Sequence, residues 1–257
     1  MKFVMEKTAE QIGQAAAEKA AELLREAIEQ RGHARVMLST GQSQFEFFEA
    51  FTKMDLPWDK IEFFHLDEYV KLPITHKASF RKYLKERFVD KIGTTTFHYI
   101  NGETNTEEVI AELSKELAKE PIDVALIGIG ENAHIAFNDP PADFEKEALY
   151  HVVDLNQTCR QQQVNEGWFA EVADVPPQAI SATVKCIYQC KNILSVVPHA
   201  AKASAIYLTL SSTKKDPMVP ASALMDHPSW IIYADVDSAA KWNEVCEDGK
   251  VCTFMES

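Results

Sequence analysis

The apolar positions of this chain fall into short blocks that switch between a helical spacing and unbroken runs. Residues 9–30 are rich in Ala, Glu, Leu and Lys, with Ile12, Ala16, Ala20, Leu23 and Ile28 at roughly helical spacing. That pattern predicts a long amphipathic helix. Thr8 and Gln11 make a capping-box pattern at its start, and Gly32 stops it. Residues 1–6 and 34–38 read as short strands, and 44–53 as the helix after a polar turn. A strand is expected over 58–66, ending in Asp67-Glu68-Tyr69. Pro73 breaks the chain before a helix at 79–89, with Phe80, Leu84 and Phe88 on one side. Residues 96–100 predict a strand and Asn101-Gly102 a turn. Val109, Leu113 and Leu117 make 106–119 a helix. The β-branched run at 124–129 predicts a buried central strand.

Beyond it, 148–155 has weak strand character and 159–170 is compatible with helix. Residues 179–189 predict a helix, 192–197 a strand ended by Pro198, and 199–208 a helix. Residues 230–234 are the last short strand, and 238–242 start a terminal helix. Strands near 34, 61, 96, 124, 192 and 230 thus alternate with helical segments. This rhythm predicts an α/β fold: a doubly wound, mostly parallel, Rossmann-like sheet with helices on both faces. No internal repeat or low-complexity linker divides the chain, so residues 1–257 are expected to form one catalytic domain.

Composition narrows the function. The chain has 257 residues, 46% of them hydrophobic, enough for a full core. A net charge of −13 argues against nucleic acid or an anionic membrane as partner. A small anionic substrate still fits if its site is locally positive. Cysteines at 159, 186, 190, 246 and 252 contain no CxxC pair and are odd in number, so reduced, partly buried thiols of a cytoplasmic protein are expected. No secretory leader pattern and no apolar run approaching membrane-spanning length occurs.

The polar residues that carry chemistry cluster at predicted strand ends, where open α/β sheets bind ligands. In 124–141, VALIGIGENAHIAFNDPP, the strand breaks at Gly130 and releases Glu131, Asn132, His134, Asn138 and Asp139. A histidine held near carboxylates and amides can shuttle a proton. In 39–44, STGQSQ, Ser39, Thr40 and Ser43 offer hydroxyls and Gly41 lets backbone approach a ligand, with Gln42 between them. A monophosphate fits this turn before a helix, although ordinary helix capping uses the same residue types. No lysine follows at Walker A spacing, which argues against a nucleoside triphosphate. Of the adjacent acids Asp67 and Glu68, either both are solvated or one is a proton-abstracting base. His65, Asp67, His134 and Asp139 could surround a divalent ion, but their spacing does not demand one, and no metal is expected. The chain contains no G-x-S-x-G nucleophile elbow. Lys202 and Arg160 are cations that could reach a phosphate, and each could equally be solvated.

Taken together these motifs resemble the glucosamine-6-phosphate deaminase family, which shares its fold with the 6-phosphogluconolactonases. The resemblance runs from about Thr8 to about Lys241. It rests on Leu66-Asp67-Glu68-Tyr69-Val70 with Leu72-Pro73 and His76, and on Gly128-Ile129-Gly130 with Asn132, His134-Ile135-Ala136-Phe137-Asn138 and Pro140. It implies cofactor-free isomerisation and deamination of an amino-sugar phosphate, a small-molecule sugar phosphate as partner, and allows a homo-oligomer. By position, Asp67 matches the base that moves a proton between C2 and C1, and His134 the residue that assists ring opening. Asp139 stands where the family orients that histidine with glutamate, and Asn132 where members carry aspartate or asparagine. Thr40, Gly41, Ser43 and Lys202 match phosphate-binding positions. Three departures stand out: Asp139 is one methylene short, Ala133 replaces a glycine, and Asn165 falls where a second phosphate-clamping arginine is usual, with Arg160 several residues earlier. A 6-phosphogluconolactonase and a non-catalytic sugar-phosphate-binding module are the alternatives. The lactonase branch usually has arginine where this chain has Tyr69.

Overall fold

The apolar blocks pair side by side and run in one direction. In the computed structural model, which describes residues 1–93 and 96–247, β1 (Lys2–Glu6), β2 (Ala34–Leu38), β3 (Ile61–His65), β4 (Asp67–Tyr69), β5 (Phe97–His98), β6 (Val124–Leu126), β7 (Tyr150–Asp154), β8 (Gln178–Ala182), β9 (Asn192–Val197) and β10 (Trp230–Asp235) form two sheets. The larger has seven strands in the order β1-β10-β9-β6-β2-β3-β5, all parallel. The predicted α/β class with a mostly parallel sheet holds. A smaller antiparallel sheet, β4-β8-β7, was not anticipated.

Three local expectations change. The helix predicted over 179–189 is strand β8 followed by a short helix, Val184–Tyr188. Residues 179–182 are buried between two partner strands, and that pairing overrides local helix preference. The strand expected over 58–66 begins at Ile61, after a single turn at Trp58–Lys60. Asp67–Tyr69, read as the end of that strand, is a separate strand that leaves the large sheet for the small one. The central strand also shortens: β6 pairs only over Val124–Leu126, and the chain loosens before Gly128.

Helices cover the large sheet on both faces. On one, helix Ala9–Arg31 presents Ile12, Ala16, Ala17, Ala20 and Leu24 to the sheet. Its alanines let helix Phe45–Phe51 lie close. A Cβ on Gly13 would stand 2.8 Å from the backbone of Glu46 and Phe47. Phe48, Phe51, Trp58, Phe63 and Phe88 stack beside this contact. The other face is packed by Leu113, Leu117, Ile187 and Ile206.

The amino ends of the strands are fixed by Arg35. Its buried guanidinium donates to the carbonyls of Leu117 (3.2 Å), Glu116 (2.7 Å) and Glu120, pairs with Glu62 at 2.7 Å, and lies 4.5 Å over the Phe64 ring. A cation thus satisfies the open carbonyls at the end of helix Thr106–Leu117. The buried thiols Cys159, Cys186 and Cys190 are free, as expected; Cys252, the rest of the tail and the Cys246 side chain lie outside what is described. Among the described residues, no helix is long and apolar enough to cross a membrane.

Phe88→Ala leaves a cavity among four aromatic rings. It is expected to lower unfolding free energy by about 3–5 kcal/mol in urea titrations, without changing the secondary structure seen by circular dichroism.

Candidate functional site

Four parallel strands, β2, β3, β6 and β9, deliver polar residues from their carboxyl ends into one cavity of about 470 Å³. The turn 39–43, Asp67, 128–131, His134 and Lys202 all line it. Each arrives for a local reason.

After β2 the backbone turns at Gly41 with φ 106, a conformation that L side chains rarely adopt. Tyr83 Oη donates to the Gly41 carbonyl at 2.8 Å and holds the turn in place. The buried Gln44 side chain donates to Ser43 Oγ (3.0 Å) and to the Val196 carbonyl (3.1 Å), tying the turn to β9. Ser39 Oγ lines the cavity, buried and without a protein partner. The helix expected over 44–53 is a turn at Gln42–Gln44 followed by helix Phe45–Phe51. Lys202 ends the turn Ala200–Lys202, which His199 enters at φ 76 with its N–H donating to Asp235. Burial lowers the Lys202 ammonium pKa, and the charges of Glu166 and Glu131 oppose that shift.

The paired acids separate by role. Asp67 lines the cavity and is 7% exposed. Burial first, and then the Glu68 charge, push its carboxyl up to about 8. Glu68 is fully buried and turns away. It accepts from the Tyr69, Phe80 and Arg81 amides (2.9, 3.2 and 2.8 Å), from Ser79 Oγ (3.0 Å) and from Arg81 Nε (3.4 Å). Burial raises Glu68 above the ordinary carboxylate value against the pull of those hydrogen bonds. Arg81 goes on to Asn101 (2.6 Å), Glu103 (2.7 Å) and the Leu72 carbonyl (3.0 Å).

The loop after β6 builds the histidine. His134 Nδ1 lies 2.6 Å from Asn132 Oδ1 and 3.2 Å from Asp139 Oδ1, while Asn132 Nδ2 donates to Asp139 at 3.1 Å. Both neighbours of Nδ1 are acceptors, so Nδ1 carries the proton and Nε2 is left for chemistry. The ring lies against Gly130, where an added Cβ would meet ring atoms at 2.1–2.5 Å. Ala133 has φ 64 and bears the cost of that left-handed conformation, about 1 kcal/mol. Burial raises Asp139, but the His134 hydrogen bond and charge and donors from Asn132 and Cys159 outweigh it, and its pKa is lowered.

A family model described as glucosamine-6-phosphate isomerases/6-phosphogluconolactonase matches residues 7–232. The chain belongs to this family. It is 34% identical to the glucosamine-6-phosphate deaminase of Streptococcus pneumoniae serotype 4 over 218 residues, 84% of this chain and 91% of that one. A structure described as a monomeric glucosamine-6-phosphate deaminase superposes with TM-score 0.86 at 27% identity, covering 94% of this chain and all of that one. A 6-phosphogluconolactonase from Thermotoga maritima shares the fold, with TM-score 0.74 at 17% identity, over 91% and 100% of the two chains.

Within this cavity, not every expected residue comes together. The Arg160 guanidinium donates to the Val172 carbonyl at 2.6 Å and does not line the cavity. Nor does Asn165, which lines an adjoining groove with Asn132, Gln157 and Gln161. Lys202 is the one lysine or arginine on the cavity wall among the described residues. His65 is sealed inside and accepts from the Ile100 amide at 3.4 Å, so the four-residue metal set considered from sequence does not assemble. At the other end of the sheet, Glu62, His98 and Glu116 come within 4.8 Å of one another. There Glu62 is already bonded to Arg35 (2.7 Å) and His98 (2.7 Å). Sequence reading missed Phe80, Gln162, Glu166 and Trp168 on the cavity wall. Their only signal was position in a polar stretch, which names no ligand.

Asp67 generates a stability test. Folding keeps a proton on this carboxyl from its ordinary value near 3.8 up to about 8, whereas the unfolded chain loses it near 3.8. Its contribution therefore falls as pH rises across that window and is level above it. Asp67→Asn removes the cost. The variant is expected to gain several degrees of melting temperature over the parent at about pH 8.5, and little at about pH 4.

Proposed function

We propose that this chain converts glucosamine 6-phosphate and water to fructose 6-phosphate and ammonia. The observation that carries the reading is a desolvated carboxylate, Asp67, sharing one cavity with an oriented His134 and an anion-cradling turn. The whole chain acts as one catalytic domain. The buried free thiols accord with the cytoplasm as its place of action.

The phosphate docks on the turn 40–43 and on the Lys202 ammonium. The unpartnered Ser39 hydroxyl supports an acceptor-rich ligand there. His134 takes the proton of the C1 hydroxyl at Nε2 and returns it to the ring oxygen, which opens the pyranose. Asn132 and Asp139 hold the imidazole through Nδ1 during both transfers. Ionised Asp67 then removes the C2 proton while the substrate's C2 ammonium passes a proton to O1, which leaves an enolamine. Delivering the same proton to C1 gives a ketimine, which water hydrolyses to the 2-keto sugar phosphate and ammonia. Burial makes Asp67 a stronger base than a solvated carboxylate, matched to work near neutral pH. No step needs a cofactor.

The test is a paired assay on glucosamine 6-phosphate. Ammonia and fructose 6-phosphate are expected at equal rates, with kcat/KM rising toward about pH 8 as Asp67 ionises. Asp67→Asn is expected to abolish solvent exchange of the C2 proton while the sugar phosphate still binds. Exchange at the parental rate in that variant refutes the assignment. Hydrolysis of 6-phosphogluconolactone undiminished in Asp67→Asn favours the lactonase reading instead. Lys202→Ala is expected to raise KM about 10–100-fold, the loss of one charge-assisted contact, with kcat nearly kept.

A further inference from the structure

Asp139 has two oxygens, and the triad above uses only one of them. Asp139 Oδ1 faces His134 and Asn132. Its other side is met by the start of helix Gln157–Asn165. Asn156 caps that helix, its Oδ1 accepting the Cys159 amide at 2.8 Å. A capping amide has no freedom to flip, since its oxygen is committed to the helix. Its nitrogen therefore points the other way, and Nδ2 donates to Asp139 Oδ2 at 3.4 Å. The Cys159 thiol, 2% exposed, lies close enough to the Asp139 carboxyl for the carboxylate charge to raise the thiol pKa. Burial and the neighbouring carboxylate hold this thiol protonated, so it acts as donor and not as nucleophile. It belongs to a buried cluster with Tyr69, Leu155, Phe137 and Phe169. Seven residues after the cap, buried Gln163 accepts from Tyr69 Oη at 2.7 Å. Tyr69 lies two residues from Asp67. One helix thus grips the supports of both the histidine and the carboxylate base.

We propose that Asn156 and Cys159 are positioning residues, which hold the Asp139 carboxylate against His134 through its second oxygen face. The inference rests on the reading of His134 and Asp139 given above. The reach that a longer acid would have is supplied by donors brought to a shorter one. Neither residue touches the sugar; each acts through Asp139. The neighbouring Gln157 and Thr158 face the adjoining groove and have no such contact with Asp139.

The decisive variant is Asn156→Asp. Aspartate caps a helix as well as asparagine does, so the helix and the fold are kept. It places a charged acceptor where a donor faced Asp139. The expected result is kcat at least about tenfold lower, KM within about twofold, and a melting temperature close to the parent. Cys159→Ala is expected to lower kcat in the same selective way, and Cys159→Ser, which restores an O–H donor, to recover turnover. Parental kcat in both Asn156→Asp and Cys159→Ala overturns the proposal, as does a parallel loss of kcat, KM and melting temperature with no rescue by serine.

A second readout does not depend on activity. The infrared S–H stretch of Cys159, assigned by its disappearance in Cys159→Ser, is expected below that of a non-bonded thiol and should move up in Asp139→Ala. A stretch that does not respond to Asp139→Ala overturns the thiol contact. If the parent protein turns over no amino-sugar phosphate, the functional reading fails, and the positioning contact is judged on this stretch alone.

Discussion

A buried carboxylate that never meets the cavity organises this site. Glu68 collects three backbone amides, a hydroxyl and a guanidinium, and so joins β4 to the start of helix Phe80–Leu84. Without those donors its charge would be untenable in the interior. With them, the chain after β3 is held in a sharp departure from the large sheet. That departure aims Asp67 inward and places the Glu68 charge next to it. The same electrostatic fact therefore fixes the backbone and raises the basicity of the neighbouring acid.

The small sheet follows from this turn. Once β4 has left the parallel sheet it needs a partner for its amides, and β8 supplies it in antiparallel register. β7 pairs with the far side of β8. Ser181 Oγ on β8 donates to the Ala182 carbonyl at 3.0 Å and accepts the Phe137 amide at 3.1 Å, and Asn138 Nδ2 reaches the same Ala182 carbonyl at 2.9 Å. The histidine loop is thereby anchored to the small sheet as well as to the large one. Its left-handed residues Ala133 and Ala136 persist because contacts on both sides over-determine the path.

The large sheet could be read from sequence because its strands are buried on both faces and appear as unbroken apolar runs. The small one could not. β4 is written Asp67-Glu68-Tyr69, and β8 has the composition of a weak helix. Those strands exist through long-range pairing, which local preference does not carry. For the site, glycines, the histidine and the strand-end acid marked the right loops, since the chemistry needs those residue types. Residue types alone left open which of Asp67 and Glu68 faces the cavity, because adjacent residues of a strand point opposite ways and its register was unknown; only the family resemblance singled out Asp67. Arg160 was misleading for a related reason: on a helix, a few positions of offset turn a side chain to another face. Asn156 and Cys159 read as a cap and an inert thiol, and only the packing shows what lies beside them.

The scarcity of positive charge around the cavity has a kinetic consequence. The protein carries −13 overall, and Lys202 is the one lysine or arginine on the cavity wall among the described residues, with Glu131 and Glu166 beside it. A phosphorylated sugar approaching from solution is repelled at long range and attracted only after it has entered. Added salt shortens the reach of that repulsion before it weakens the short contacts at the turn. Moderate ionic strength should therefore quicken capture of the substrate, the opposite of the usual steering of anions by a basic funnel.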